Sequence, residues 1–283
     1  SEMCIRDRSI SYLGPTGSYC EQAAISKYTN EKLFPMPTIP SVIESVQDGI
    51  TDLGVVPIEN SIEGSVTFTL DALIHNYTVN INSEIMLNIS HSLISNKKYQ
   101  LGEITKIYSH PQAISQCRIY ISKNLPQAEL INTSSTSAAL ENIIDQENAY
   151  AAIAHSRNAI SYNLNVLADK IQDEKINITR FAVLGMKIPS PTEKDKTSFC
   201  FDFSDIDKPG QLINVMKLFS DAKINITKIE SRPSKKELGK YIFWMDINGH
   251  IKDQKLKNIF DQVKEMTSML KILGSYPEAT NII

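Results

Sequence analysis

Short apolar runs alternate with amphipathic stretches along most of the chain. Ser9–Leu13 reads as a strand ending at Gly14-Pro15-Thr16-Gly17, and Tyr19–Tyr28 as a helix. Val42–Asp48 reads as a helix, and Leu53–Pro57 as a strand running into Ile58-Glu59-Asn60. Ile104–Ser109 is a further strand, followed by a helix from about Pro111 to Lys123. Thr136–Glu147 reads as a helix, Ala149–Ala154 as a buried strand and His155–Tyr162 as a helix. This alternation predicts an α/β architecture with largely parallel sheets. The pattern stops at residues 189–196 (PSPTEKDK), whose prolines and charges have the composition of a linker. Beyond it, Thr197–Phe203, Ile224–Glu230, Lys240–Asn248 and Met269–Tyr276 read as strands. Gly210–Ser220 and Lys252–Met266 read as helices, the first with Leu212, Val215, Leu218 and Phe219 on one face. The order is βαββαβ, the ferredoxin-like arrangement. The chain thus divides into residues 9–188 and 197–283, while residues 1–8 share neither pattern and are expected to be a foreign or disordered leader.

Composition narrows the function classes. With 29 Lys and Arg against 32 Asp and Glu in 283 residues, the net charge of −3 implies no nucleic-acid partner. No run approaches the roughly 18 apolar residues of a membrane span, and no apolar segment backs the charged N-terminus as in a signal peptide. Cys4, Cys20, Cys117 and Cys200 are scattered, with neither CxxC nor a Cys/His cluster, so no zinc site and no disulfide framework are expected. Reduced thiols in a cytoplasm-like compartment are the simplest reading.

Polar residues gather just after strands, where open α/β sheets bind ligands. Gly14–Ser18 is either a plain turn or a turn whose amides hold an anion at a helix N-terminus. In Glu59-Asn60-Ser61-Ile62-Glu63-Gly64, a strand delivers acid, amide and hydroxyl together, as a helix cap or as a site. Ser109-His110-Pro111-Gln112 can cap the next helix, with Gln116 about two turns beyond Ser109. No orienting acid follows, which argues against a Ser–His hydrolase, and Cys117 reads as a small core residue. The hydroxyl run Thr133–Ser137 suits a carboxylate, and Arg180 in Asn177-Ile178-Thr179-Arg180-Phe181 adds a fixed positive charge.

In this order and spacing the clusters resemble the prephenate dehydratase family, from Ser9 to about Tyr276. The strings that carry the resemblance are GPTGSYCEQAA (14–24), DLGVVPIENSIEGSV (52–66), SHPQAISQC (109–117), NTSSTSAA (132–139) and INITRF (176–181). KPGQLINVM (208–216) and ITKIESRP (226–233) look like the phenylalanine-responsive ACT domain that follows the catalytic part. The resemblance implies two α/β lobes similar to type II periplasmic binding proteins. The first lobe would span about 9–84 and 171–188, the second about 85–170, with the active site in the cleft between them. It implies Thr179, Glu59, Asn60, Ser109 and Gln116 as catalytic residues. Thr16, Ser61, Thr133, Ser135, Thr136, Arg180 and Phe181 would lie around the substrate. Gly210, Gln211, Leu212, Ile213, Glu230, Ser231, Arg232 and Pro233 would bind phenylalanine near an interface between ACT domains. Gln211 stands where the family usually has Ala, and Tyr19 and Cys20 where Phe and Thr or Ser are common. No room is expected ahead of the catalytic part for a fused chorismate mutase domain.

The implied reaction is loss of carbon dioxide and water from prephenate to give phenylpyruvate. Aromatisation drives it, so no metal or other cofactor is expected. Thr179 would donate a hydrogen bond to the departing hydroxyl oxygen, tuned by Glu59 or Arg180. The family resemblance also implies inhibition by phenylalanine and a homodimer or a dimer of dimers. Arogenate dehydratase and a non-catalytic amino-acid sensor are the competing readings.

Overall fold

The computed structural model describes residues 8–203 and 208–283, so residues 1–7 of the expected leader lie outside the described residues. Arg8 already belongs to the fold, since its carbonyl accepts from the Lys32 amide at 3.2 Å. The first lobe comprises β1 (Ser9–Leu13), α1 (Tyr19–Lys27), β2 (Lys32–Met36), α2 (Ile39–Gln47), β3 (Leu53–Asn60), the short β4 (Gly64–Ser65), α3 (Thr67–His75) and β5 (Asn80–Asn88). The second lobe comprises β6 (Ser92–Ser95), β7 (Lys106–Ser109), α4 (Pro111–Gln116), α5 (Arg118–Asn124), β8 (Glu129–Asn132), α6 (Thr136–Glu141), β9 (Tyr150–Ala154), α7 (Ser156–Ser161) and β10 (Asn165–Ala168). The chain then returns to the first lobe as β11 (Ile178–Gly185). The crossings therefore fall after Asn88 and between Ala168 and Ile178, and β5 belongs wholly to the first lobe.

Both lobe sheets are mixed rather than largely parallel. The first runs β2-β1-β3-β11-β5, with β4 beside β3, and β11 is antiparallel to both its neighbours. The second runs β10-β6-β9-β7-β8, with β6 antiparallel to β9 and β10. The antiparallel strands flank the two crossings: a chain that leaves a sheet and comes back from the other lobe re-enters it pointing the opposite way. Helix α1 starts where the Ser18 hydroxyl accepts from the Glu21 amide, and α2 starts at a capping box between Thr38 and Ser41.

The C-terminal domain comprises β12 (Asp195–Asp202), α8 (Gln211–Asp221), β13 (Ile226–Pro233), β14 (Tyr241–Asn248), α9 (Gln254–Met266) and β15 (Met269–Pro277). It forms a four-stranded antiparallel sheet, β13-β14-β12-β15, in the ferredoxin-like βαββαβ order. Asp195 and Lys196 are buried members of β12, not the end of a linker, because each has a buried task at the domain junction. One face of this sheet packs α8 and α9 around Phe199, Phe201, Phe219 and Phe260. The other face lies on the first lobe: Cys200, Ile242, Trp244, Leu273 and Tyr276 share one apolar core with Val56, Leu70, Ala182 and Leu184. Among the described residues no helix is long and apolar enough to cross a membrane.

Candidate active site

The site is built on the antiparallel pair β3–β11, in which Thr179 lies opposite Asn60 and Arg180 opposite Glu59. Neighbouring residues on a strand point to opposite faces. Asn60 and Thr179 therefore share one face and bond directly, with Nδ2 of Asn60 donating to Thr179 Oγ1 at 2.9 Å. Glu59 and Arg180 share the other face, towards the C-terminal domain. There Arg180 is buried against Asp246 (2.7 Å), Glu84 (2.7 Å) and Tyr276 (2.9 Å), and Glu59 pairs with Lys228 at 2.8 Å. The period of two thus corrects two sequence expectations. Arg180 is not a substrate-facing cation, and Glu59 reaches Thr179 only through the strand. Phe181 is one pleat below Thr179, packed in the core with Tyr12, Val55, Leu87 and Val183 rather than lining the cleft.

Around Thr179 a chain of amides has a single polarity, which backbone groups impose. The Ile62 and Glu63 amides donate to Asn60 Oδ1 at 2.9 and 3.1 Å, so that atom is the oxygen. Nδ2 of Asn60 then donates to Asn177 Oδ1 at 2.8 Å as well as to Thr179. Asn177 Nδ2 donates in turn to Gln116 Oε1 at 2.8 Å, and Gln116 Nε2 donates to Glu63 at 3.0 Å. Thr179 Oγ1 is an acceptor in this scheme, and among the described residues no acceptor takes its own proton. Its hydroxyl is left to donate outward. Ser61 closes the corner, its hydroxyl accepting from the Ile178 amide at 2.9 Å.

Gln116 reaches this cluster because the expected long helix is broken. The return crossing brings Asp173 against it: its carboxylate accepts from the Ile119 and Tyr120 amides, and its own amide donates to the Gln116 carbonyl. That satisfies the orphan groups of two short helices and leaves Gln116 at the end of α4. Cys117 at the break is buried, with its thiol pushed up to about 12 by burial, which suits the core reading.

Ser109 is placed differently from its sequence expectation. Its side chain is fully buried and donates to the Ile153 carbonyl at 2.7 Å, and the residue that caps α4 is His110, through Nδ1. Thr133 and Ser135 brace their own loop, Thr133 donating to the Ser135 carbonyl and Ser135 capping α6, whose first residue is Thr136. Thr16 is exposed and lines a cavity of about 130 Å³ where the lobes meet, with Gly17, Glu21, His155, Arg157 and Asn158. Asn158 Nδ2 donates across that contact to the Gly17 carbonyl at 2.8 Å. Arg157 is the only Lys or Arg among the cavity-lining residues. Asn177, His91 and Arg157 were missed by the sequence reading. Asn177 stands in the INITRF string itself, whereas His91 and Arg157 stand in strings with no signal of their own.

On the C-terminal side, the expected phenylalanine-binding residues divide by the same alternation. Ser231 and Pro233 on edge strand β13 are exposed, while Glu230 and Arg232 turn to the first lobe. There Glu230 accepts from Ser65 and Arg232 Nε meets Asp71 at 3.0 Å, so both half-buried side chains are engaged by the first lobe. Gly210 has φ of 89°, a conformation that favours glycine, at the start of α8. Gln211 Oε1 accepts from the Lys208 amide at 3.1 Å, Leu212 packs into the domain core and Ile213 is exposed.

Two mixed α/β lobes joined by two crossings, a polar cluster at their junction and a ferredoxin-like domain docked behind it define a class: a bilobal, periplasmic-binding-protein-like enzyme with a regulatory module. The sequence matches the prephenate dehydratase family over residues 10–189 and the ACT domain over residues 203–265. It is 40% identical over 271 residues to a bifunctional chorismate mutase/prephenate dehydratase of Aquifex aeolicus, covering 95% of this chain and 74% of that one. It is 37% identical over 279 residues to a prephenate dehydratase of Methanocaldococcus jannaschii, covering 96% and 98%. The fold is similar to the crystal structure of an Arthrobacter aurescens prephenate dehydratase in complex with L-Phe, with TM-score 0.87, 32% identity and coverage of 95% and 90%. The chain belongs to the prephenate dehydratase family and carries its C-terminal ACT domain.

Proposed function

We propose that this chain converts prephenate to phenylpyruvate, water and carbon dioxide in phenylalanine biosynthesis, with Thr179 as the proton-donating group. Prephenate is a dianion. The electron pair of the breaking carbon–carboxylate bond enters the ring as the hydroxyl leaves, so hydroxide is the group that needs help. One proton converts it to water. A threonine hydroxyl is too weak an acid to act alone, but one already accepting from Asn60 Nδ2 is oriented to donate to the departing oxygen as it becomes basic. That hydrogen bond is the observation that carries the reading. Asn60, Asn177 and Gln116 hold the donor in place, a positioning role. Arg157, at the cavity between the lobes, supplies local attraction for a substrate carboxylate that Arg180, buried among its own partners, does not.

Purified protein is expected to turn over prephenate with no added cofactor, and Thr179→Val to lower kcat by about 10²–10⁴-fold. A valine variant with near wild-type turnover would end the role given to Thr179. Rates on arogenate measured in parallel decide between the two substrates.

Regulation by L-phenylalanine at the ACT domain belongs to the same proposal, supported by the L-Phe complex of the Arthrobacter relative. The coupling route is short: Lys228 and Glu230 on β13 hold Glu59 and Ser65, the cross-strand pair next to Asn60 in the β3–β4 hairpin. A ligand that shifts β13 alters that hairpin, and inhibition requires only that it bind one arrangement better. Activity that stays flat in millimolar phenylalanine would remove this part. Exposed Ile229 on edge strand β13, Tyr241 on β14 beside it and Ile213 on α8 fit a second copy of the domain, a homodimer or dimer of dimers, which light scattering measures. Free, buried Cys20, Cys117 and Cys200 accord with a cytoplasmic setting.

A further inference from the structure

His91 lies on the first crossing between the lobes and is 3% exposed. The two crossings are tied together around it: the Ile171 amide donates to the His91 carbonyl at 2.9 Å, the Ile89 amide to the Asn177 carbonyl at 2.6 Å, and the His91 amide to Gln172 Oε1 at 3.0 Å. Its ring joins neither crossing. Nε2 lies 2.9 Å from Gln116 Oε1, and Nδ1 lies 3.0 Å from the Tyr19 hydroxyl. Tyr19 stacks edge-on against the imidazole, with ring centroids 5.9 Å apart, and also donates to the Ser90 carbonyl at 2.7 Å.

The polarity argument settles which nitrogen carries the proton. Gln116 Oε1 is an oxygen, because it accepts from Asn177 Nδ2 while Gln116 Nε2 donates to Glu63. An oxygen 2.9 Å from Nε2 requires N–H there. Burial holds the imidazole below its usual range, so at neutral pH there is one ring proton to place; with it on Nε2, Nδ1 is an acceptor for the Tyr19 hydroxyl, whose single proton is shared between Nδ1 and the Ser90 carbonyl. His91 thus gives Gln116 Oε1 its second donor. Without that donor the Gln116 amide is held on the oxygen side by Asn177 alone, and the Asn177–Asn60–Thr179 chain is anchored to the lobe junction by one bond fewer.

We infer that His91 is a positioning residue for the dehydration: its Nε2–H, delivered from the hinge between the lobes, locks the orientation of Gln116 and through it the amide chain that aims the Thr179 hydroxyl. The inference rests on the Thr179 reading above. It makes hinge geometry and donor geometry one property, since the lobes cannot shift about the crossings without moving the ring that holds Gln116.

The test uses the full chain and prephenate, with His91→Gln, His91→Asn and His91→Leu. A glutamine places its amide nitrogen near the position of Nε2, whereas an asparagine reaches only as far as Nδ1. We expect His91→Asn and His91→Leu to lower kcat by about 10- to 100-fold with much smaller changes in KM, and His91→Gln to recover most of the loss. A packing role would instead move all three through stability, read as the unfolding midpoint, without separating Gln from Asn. If His91→Leu does not fold, the comparison of Gln with Asn still decides. Equal losses in those two, or a kcat for His91→Asn within about threefold of wild type, overturn the inference. Thr179→Val is assayed alongside. Retained turnover in that variant with the Gln–Asn difference intact would sink the Thr179 reading while leaving His91 as the residue that positions Gln116.

Discussion

Buried amides have no water to rescue a wrong orientation, so Asn60 and Asn177, both buried, keep whichever polarity the backbone imposes. That polarity makes Thr179 an acceptor from Asn60 and hence an outward donor. Asn60→Asp tests this at the scale of one atom. The carboxylate still accepts from the Ile62 and Glu63 amides but puts an oxygen where Nδ2 stood, so the Thr179 proton turns inward. kcat is expected to fall by about 10²-fold or more with little change in KM, measured by steady-state kinetics on prephenate. A drop in KM-dependent binding alone would mean that Asn60 only holds substrate. At this scale the sequence was informative about residue types and poor on their directions. Glu59 and Asn60 are adjacent in one telling string, and so are Thr179 and Arg180. Which member faces the cleft depends on the pleat, and the pleat depends on pairing partners that no local pattern names.

At the scale of elements, the Ser18-capped start of α1 was legible, whereas the capping box that starts α2 at Ile39, three residues before the expected Val42, and the polar strands were not. Helix α1 runs from Tyr19 to Lys27 behind its Ser18 cap and β1 spans Ser9–Leu13, both within a residue of the sequence reading. Strand β5 escaped because its sequence, NINSEIMLN, buries Ser83 and Glu84. Buried polar residues in a strand read as a loop until their partners are known, and the partners of Glu84 are Arg180, 2.7 Å away on β11, and Lys196, 2.9 Å away in another domain. The junction is tight where β15 crosses β5. At Gly274, with φ of 157°, an added Cβ would sit 2.3 Å from the Ile81 carbonyl oxygen. Gly274→Ala is therefore expected to lower the unfolding free energy by at least about 3 kcal/mol, or to yield insoluble protein. A denaturant midpoint equal to wild type would show that the strands can separate at no cost. Nearby, Lys271 Nζ donates to the Leu73 and Tyr77 carbonyls, both at 2.6 Å, so the C-terminal domain also caps the end of α3.

For the whole molecule, the decisive feature is the charge cluster sealed between the domains. Arg180 and Lys196 face Glu84 and Asp246 there, and Ser198 and Trp244 both donate to Asp246 Oδ1, at 2.6 and 2.7 Å. Removing one member leaves a buried charge without its partner, so Asp246→Asn is expected to cost about 3–5 kcal/mol, measured by denaturant unfolding. Acid reports on the same group. Burial alone would raise the Asp246 carboxyl, but Arg180 and its hydrogen bonds hold it below the usual carboxylate range. A depressed carboxylate contributes its stabilisation above the unfolded value, about pH 4, and loses it as pH falls through the folded value. Stability is expected to be level from about pH 7 to 5 and to drop below about pH 4, less steeply in Asp246→Asn. An identical acid slope in the two proteins would assign the acid sensitivity to other carboxylates, such as Asp71, which Arg232 and Lys235 also hold low against burial.

The sequence by itself determined the α/β class, the βαββαβ order of the C-terminal domain and the strings in which the polar cluster would be found. These follow from hydrophobic period, cap residues and composition, which act over a few residues. Tertiary structure decided the rest. It turned Arg180 and Glu59 away from the cleft, buried Ser109, split a helix with Asp173, and brought His91 to Gln116. Each of these depends on a partner far away in the chain: Asp246 for Arg180, Lys228 for Glu59, Ile153 for Ser109. A buried polar group takes its direction from whatever satisfies it, and that is settled only when the two lobes and the domain behind them are packed together.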